Sequence, residues 1–317
     1  MTNYIIRRTA AAVFVLLVMS IVIFRLVHWL PGDVLLVKLG EGGRVAPAQM
    51  ALARKEMGLD RPLVVQYTSW LGNIVRGNFG HSLLYPNKTV LGLYGDGLPI
   101  TIELAVLGLI LALLIAIPVG VLSAVKQDTW LDYVTRVTAI AGLAVPSFWL
   151  GTLALLYGQL WFHWTPPLRY ISFGRNPGSN MQMFVLPAVI LGFGIGAGMT
   201  RITRSSVLEA LRNDYVRTAR AKGLRSGTVI VRHVLRNSLI PVTTVLGLQV
   251  GALLGGQVIL EQLFSLPGIG QITLNGVLTR DYTVIQGGAL MIGSVVVFMN
   301  LLVDVSYVFL DPRIRYG

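Results

Sequence analysis

Few side chains in this chain could do covalent chemistry. Its four histidines, His28, His81, His163 and His233, fall in separate segments, and cysteine is absent, so local spacing assembles neither a metal-ligand cluster nor a thiolate nucleophile. No HExxH or GxSxG occurs, which leaves a metallo- or serine hydrolase without its acid, base or nucleophile. No GxxxxGK[ST] occurs either, so nothing here cradles the phosphates of a nucleotide. We expect no catalytic residue, no metal site and no cofactor in the chain. The run Gly192-Phe193-Gly194-Ile195-Gly196-Ala197-Gly198 looks superficially like a nucleotide loop, but it lies inside an apolar stretch with no strand before it. It reads instead as a surface for close helix packing, as do Gly247, Gly251 and Gly255 at four-residue spacing. Glu103, Gln249 and Asn300 are polar groups within apolar segments. They could meet a solute in transit, or serve as interfacial or interhelical hydrogen-bonding groups.

The densest polar feature is Asp214 to Pro241, DYVRTARAKGLRSGTVIVRHVLRNSLIP. Asp214 is placed to cap a short helix through Tyr215, Val216, Arg217, Thr218, Ala219, Arg220, Ala221 and Lys222, and Gly223 supplies the left-handed residue that stops it. A second helix is expected to open at Ser226, with Val229, Ile230, Val234 and Leu235 on overlapping faces. It should run to Asn237 before Pro241 begins the next apolar span. Taken alone, the segment could equally be an ordinary basic loop between membrane spans.

The elements that must position this segment are membrane helices. Hydrophobic residues are 54% and charged residues 13% of the 317 positions, which excludes water-soluble packing. The net charge of +12 would elsewhere point to nucleic acid; here the cations sit at the ends of apolar runs, so they report orientation instead. Arg7 and Arg8 precede an uncharged run from Thr9 to Phe24, and no small-x-small cleavage pattern follows before Leu30-Pro31-Gly32-Asp33. An uncleaved first helix is therefore expected, a twin-arginine export signal being the other reading of the arginine pair. Arg25, near the end of that run, would snorkel to the interface. Five further uncharged spans are expected at Leu104–Val125, Val137–Leu160, Met181–Thr200, Ser238–Leu260 and Tyr282–Val303, each near the ~20 residues that a crossing needs. Asp304 lies just past the last of them.

Between the first and second spans the chain is too polar to cross. Pro47 should start one short helix that Gly58 ends, and Val64, Tyr67, Leu71, Ile74 and Val75 recur at helical spacing before Gly77 ends another. The expected organisation is thus an N-terminus and first helix over 1–30, an extracytoplasmic segment over 31–98, and a five-helix core over 99–317 with a basic loop at 201–240. Nine arginines and lysines gather between Arg201 and Arg236, so the positive-inside rule places that loop and both termini in the cytoplasm.

Several separate stretches resemble the dipeptide/oligopeptide/nickel branch of the bacterial ABC-transporter import permeases. Arg217-Thr218-Ala219-Arg220-Ala221-Lys222-Gly223, followed by Leu239-Ile240-Pro241, is similar to that branch's cytoplasmic coupling loop. Before it come Leu30-Pro31-Gly32-Asp33, Met57-Gly58-Leu59-Asp60-Arg61-Pro62-Leu63 and Gly77-Asn78-Phe79-Gly80-His81-Ser82. After it come Glu261-Gln262-Leu263-Phe264-Ser265-Leu266-Pro267-Gly268-Ile269-Gly270, Arg280-Asp281-Tyr282 and Asp311-Pro312-Arg313. Val34 and Asn78 stand where the branch more often has Pro and Asp. The resemblance implies an all-α, six-helix permease of the type I importer kind in the bacterial inner membrane. It also implies a second homologous permease, two cytoplasmic ATP-binding subunits that hold the ATP and Mg, and an extracytoplasmic substrate-binding protein. Its cargo would be a peptide or a related small solute. Coupling to the ATPases falls, by the same resemblance, to Asp214, Tyr215, Arg217, Thr218, Ala219, Arg220, Ala221, Lys222 and Gly223. A stand-alone secondary transporter or channel is the alternative; inverted repeats or charges at mid-membrane would mark it, and the sequence has neither. A non-transporting membrane scaffold would have no need of so elaborate a basic loop.

Overall fold

The computed structural model describes residues 2–29, 51–52, 55, 60–167, 169–255 and 257–310. Most of the expected helix from Pro47 to Gly58, the Leu30-Pro31-Gly32-Asp33 motif and the tail from Asp311 lie outside them. In order the helices are α1 (Thr2–Trp29), α2 (Leu63–Val75), α3 (Val90–Val125), α4 (Trp130–Ala144), α5 (Ser147–Phe162), α6 (Pro177–Leu211), α7 (Asp214–Ala221), α8 (Ser226–Leu254), α9 (Val258–Leu263), α10 (Ile269–Leu278) and α11 (Tyr282–Leu310). Among the described residues the only β pairing is one isolated bridge, His81 to Thr89. Among the described residues five helices are long and apolar enough to cross a bilayer, and a sixth crossing is made if α4 and α5 count as one bent span.

Five boundaries differ from expectation. The third span is not continuous: α4 and α5 meet at 93°. Pro146 disfavours a helical residue before it, and Val145 is extended at φ −82°, ψ 122°. The fifth span stops at Leu254, where the sequence runs into Gly255-Gly256, and α9 opens at Val258. At 36 and 35 residues, α3 and α6 rise roughly 54 and 52 Å, well beyond a hydrocarbon core of about 30 Å. The last turns of the expected extracytoplasmic segment, from Val90, are therefore part of α3, and Arg201 to Leu211 belongs to α6 and not to a loop. Finally, α8 runs from Ser226 through Pro241 without interruption; its second turn, Val229–Val234, is a π-helix in which the Leu235 N–H reaches the Ile230 carbonyl.

The chain divides into two units. The first comprises 1–101, 254–261 and 267–317. Here α1 runs along α11, and Arg8 pairs with Asp304 at 2.8 Å. α2 leans on α1 through Ser20 Oγ to Tyr67 Oη at 2.9 Å and an aromatic cluster of Phe24, Tyr67 and Trp70. Its core gathers Val90, Tyr94, Ile269 and Val284. The second unit comprises 102–253 and 262–266. Its core joins Ala112 and Ala116 of α3 to Met199 of α6 and Val242 of α8. Here the glycine run does bring helices close: a Cβ on Gly192 would lie 2.9 Å from the Gly108 carbonyl oxygen, and one on Gly196 would lie 3.3 Å from that of Ala112.

Candidate functional site

Connectors of only two and four residues, 212–213 and 222–225, hold α7 between α6 and α8. Val216 and Ala219, three positions apart and therefore on one face, are buried against Ala124 of α3, Val207 and Ala210 of α6, and Val229 and Val234 of α8. The opposite face leaves Asp214, Tyr215, Arg217, Thr218, Arg220, Ala221 and Lys222 exposed. Ala219, one of the residues expected to couple to the ATPases, faces inward and anchors the helix. Val216, its companion, was missed, although the spacing of 216 and 219 in an otherwise polar helix was available as a signal.

Both ends of α7 are set by backbone hydrogen bonds. Asp214 is not the cap: Asn213 occupies that position, without a side-chain bond, and Asp214 lies in the first turn, where its charge suits the helix dipole. At the far end the Leu224 N–H reaches the Ala219 carbonyl at 3.3 Å and the Gly223 N–H that of Arg220 at 2.9 Å. With Gly223 at φ +79°, this is a complete Schellman cap. Arg217 reaches Asp214 at 3.5 Å, whereas Arg220, Lys222 and Arg225 make no ion pair among the described residues. The result is a short, fixed helix that presents a basic face.

One turn along α6 from this seat lies a buried ion pair that the sequence reading missed. Asp132, fully buried at the start of α4, accepts Arg204 Nε at 2.7 Å and Nη2 at 2.8 Å. Its two oxygens also take the Ser123 hydroxyl at 2.6 Å and the Asp128 N–H at 3.1 Å, and Arg136 stands 3.6 Å away.

This arrangement of long helices around a short seated one can be compared with known proteins. Residues 116–316 match the binding-protein-dependent transport system inner membrane component, and residues 1–105 match the N-terminal component of such systems. The chain belongs to this family. It is similar to a Brucella suis biovar 1 protein named as a candidate peptide permease, at 39% identity over 99% of each chain. It is likewise similar to the oligopeptide transport system permease protein AppB of Bacillus subtilis and the dipeptide transport system permease protein DppB of Alkalihalophilus pseudofirmus, each at 37% identity over the full length of both chains. The chain is thus a multi-pass inner-membrane permease subunit of an ABC importer, with the type I permease fold.

Within this permease the expected pathway residues lie on three different helices. Glu103 is half-buried in α3 and accepts the Tyr170 hydroxyl at 3.4 Å. Burial first, and then the charge of Glu103, push the Tyr170 phenol above its usual pKa. Gln249 is half-buried in α8 and Asn300 exposed in α11, and neither side chain has a hydrogen-bond partner among the described residues. Glu103 and Gln249 belong to the second unit and Asn300 to the first.

Two other carboxylates explain motifs of the permease. Asp281 accepts the Ser82 hydroxyl at 2.5 Å and the N–H groups of Leu83 at 2.9 Å and Val284 at 3.2 Å, so it caps α11 and ties down the 77–89 turn together. Glu261, fully buried, accepts the Thr101 hydroxyl at 2.6 Å and the Gln271 N–H at 2.9 Å, while Thr101 accepts the N–H of Ile269 at 3.0 Å. It thereby caps α10 from ten residues before Gln271. A Cβ on Gly268 would fall inside its carboxylate, and one on Gly270 would lie 2.9 Å from Oε2, which is why Pro267-Gly268-Ile269-Gly270 carries glycine at both places.

Proposed function

We propose that this permease imports peptides or related small solutes, forms its pathway with a second homologous permease, and is driven by two ATPase subunits that seat α7. The loop that carries α7 and both chain ends would face the cytoplasm, and a solute-binding protein would deliver cargo on the other side. The observation that carries this reading is α7 itself. Its apolar face is fastened to α3, α6 and α8, its basic face is free, and its connectors are too short to act as a tether. The names borne by the relatives support peptide cargo.

The mechanism follows from linkage. ATP, held with Mg by the partner subunits, favours their closed pair. If α7 rides in one of them, closure is coupled to whichever arrangement of α3, α6 and α8 fits the moved helix, and hydrolysis releases it. Each ligand shifts the equilibrium only through contacts that differ between the two states, and a stiff α7 supplies such a difference. The test is purification with native partners and reconstitution into vesicles. ATPase chains should co-isolate, and loaded binding protein should stimulate both ATP hydrolysis and import. The isolated chain should hydrolyse none, since it lacks the phosphate loop. Solute flux through the isolated chain driven by an ion gradient would refute the proposal.

A further inference from the structure

The seat of α7 and the bent span share the Asp132–Arg204 ion pair. Ser123, which donates to Asp132, adjoins Ala124 of the seat, and Arg204 stands one helical turn before Val207 of the seat. Asp132 therefore bonds to the immediate neighbours of the seat on both α3 and α6. Farther along, α4 meets α6 again, where a Cβ on Gly142 would lie 2.9 Å from the Ala197 methyl and 3.1 Å from the Phe193 ring. The break at Val145-Pro146 follows three residues later.

A two-pronged guanidinium–carboxylate bond fixes angle as well as distance, which an apolar contact of the same area does not. A buried pair also adds little net stability over an apolar replacement of similar volume, so stability is a poor account of four donors converging on one carboxylate. We propose that Asp132 and Arg204 are positioning residues that lock α4 to the seat of α7, so that α4 travels with α7 as one body and delivers its displacement to the bend. The inference rests on the coupling role proposed for α7.

The experiment uses the complete transporter in vesicles. Spin labels at Val137→Cys on α4 and Arg212→Cys at the end of α6 exploit the absence of native cysteine. In the unmutated background their distance should stay constant within about 2 Å between the nucleotide-free and vanadate-trapped states, the scale of a small helix shift. The double variant Asp132→Leu/Arg204→Met should assemble and hydrolyse ATP, broaden that distance, and consume roughly tenfold more ATP per solute imported. Arg204→Lys, which keeps the charge but loses the second prong, should fall between. A distance that changes with nucleotide state in the unmutated transporter overturns the proposal even if the double variant fails to assemble, and so does a double variant that imports with unaltered ATP consumption. Absence of ATP-driven import by the unmutated transporter would instead remove the importer reading, with this inference following it, and that control is read first.

Discussion

Gly77 and Gly223 end two helices in the same way, and that makes one a control for the other. At α2, the Asn78 N–H reaches the Asn73 carbonyl and the Gly77 N–H that of Ile74, with Gly77 at φ +80°; at α7 the bonds and the angle, +79°, are equivalent. An added Cβ meets nothing within 4 Å at either glycine, so replacing either by Val costs backbone strain without a clash. For a left-handed residue that strain is roughly 1–2 kcal/mol, enough to shift the population of the intact cap by about 5- to 30-fold. Both variants should fold and assemble alike. In reconstituted vesicles, Gly223→Val should lose import and the stimulation of ATP hydrolysis by loaded binding protein in proportion to that population, because Leu224 and the cations beside it lose their fixed place. Gly77→Val, with the same local cost elsewhere, should stay within about twofold of the unmutated rate. Equal import by the two variants would refute the coupling assigned to α7.

Glu261→Ala leaves the Thr101 hydroxyl and the Gln271 N–H without their buried acceptor, at roughly 1–3 kcal/mol each. The melting midpoint of the detergent-purified chain should fall clearly, while the exposed Asp214→Ala leaves it nearly unchanged; equal midpoints would dispose of the capping role. For topology, Lys88→Cys, exposed in the 77–89 turn, should react with an impermeant thiol reagent in intact cells, and Arg225→Cys only after lysis. The opposite pattern would invert the orientation.

The spans were legible because about twenty uncharged residues leave few alternatives, and α7 because a polar octet ending in glycine is unusual between them. The breaks were harder to see. Val145-Pro146 and Gly255-Gly256 sit in apolar sequence that does not change character across them, so hydropathy runs straight through, and only backbone rules on Pro and Gly mark the stops. The extensions of α3 and α6 were hidden for the converse reason. A helix does not end where the bilayer does, and Arg201, Arg204 and Glu209 continue α6 once its apolar window has closed.

The site divides in the same way between what neighbours in sequence decide and what the fold decides. Gly223 is required by its own φ, and Val216 and Ala219 are paired by helical period; both are local facts. Gly268, by contrast, is required by a carboxylate from another helix, and Asp132 meets an arginine 72 positions away. No spacing rule links such residues. What does mark them is cost: Asp132, Glu261 and Asp281 each lie in or beside an apolar stretch, where a carboxylate persists only if donors converge on it. Each of the three collects its donors from segments that would otherwise be free to slide or fray, so in this permease the rare buried charges fix how helices are joined, while the exposed ones on α7 are left for a partner.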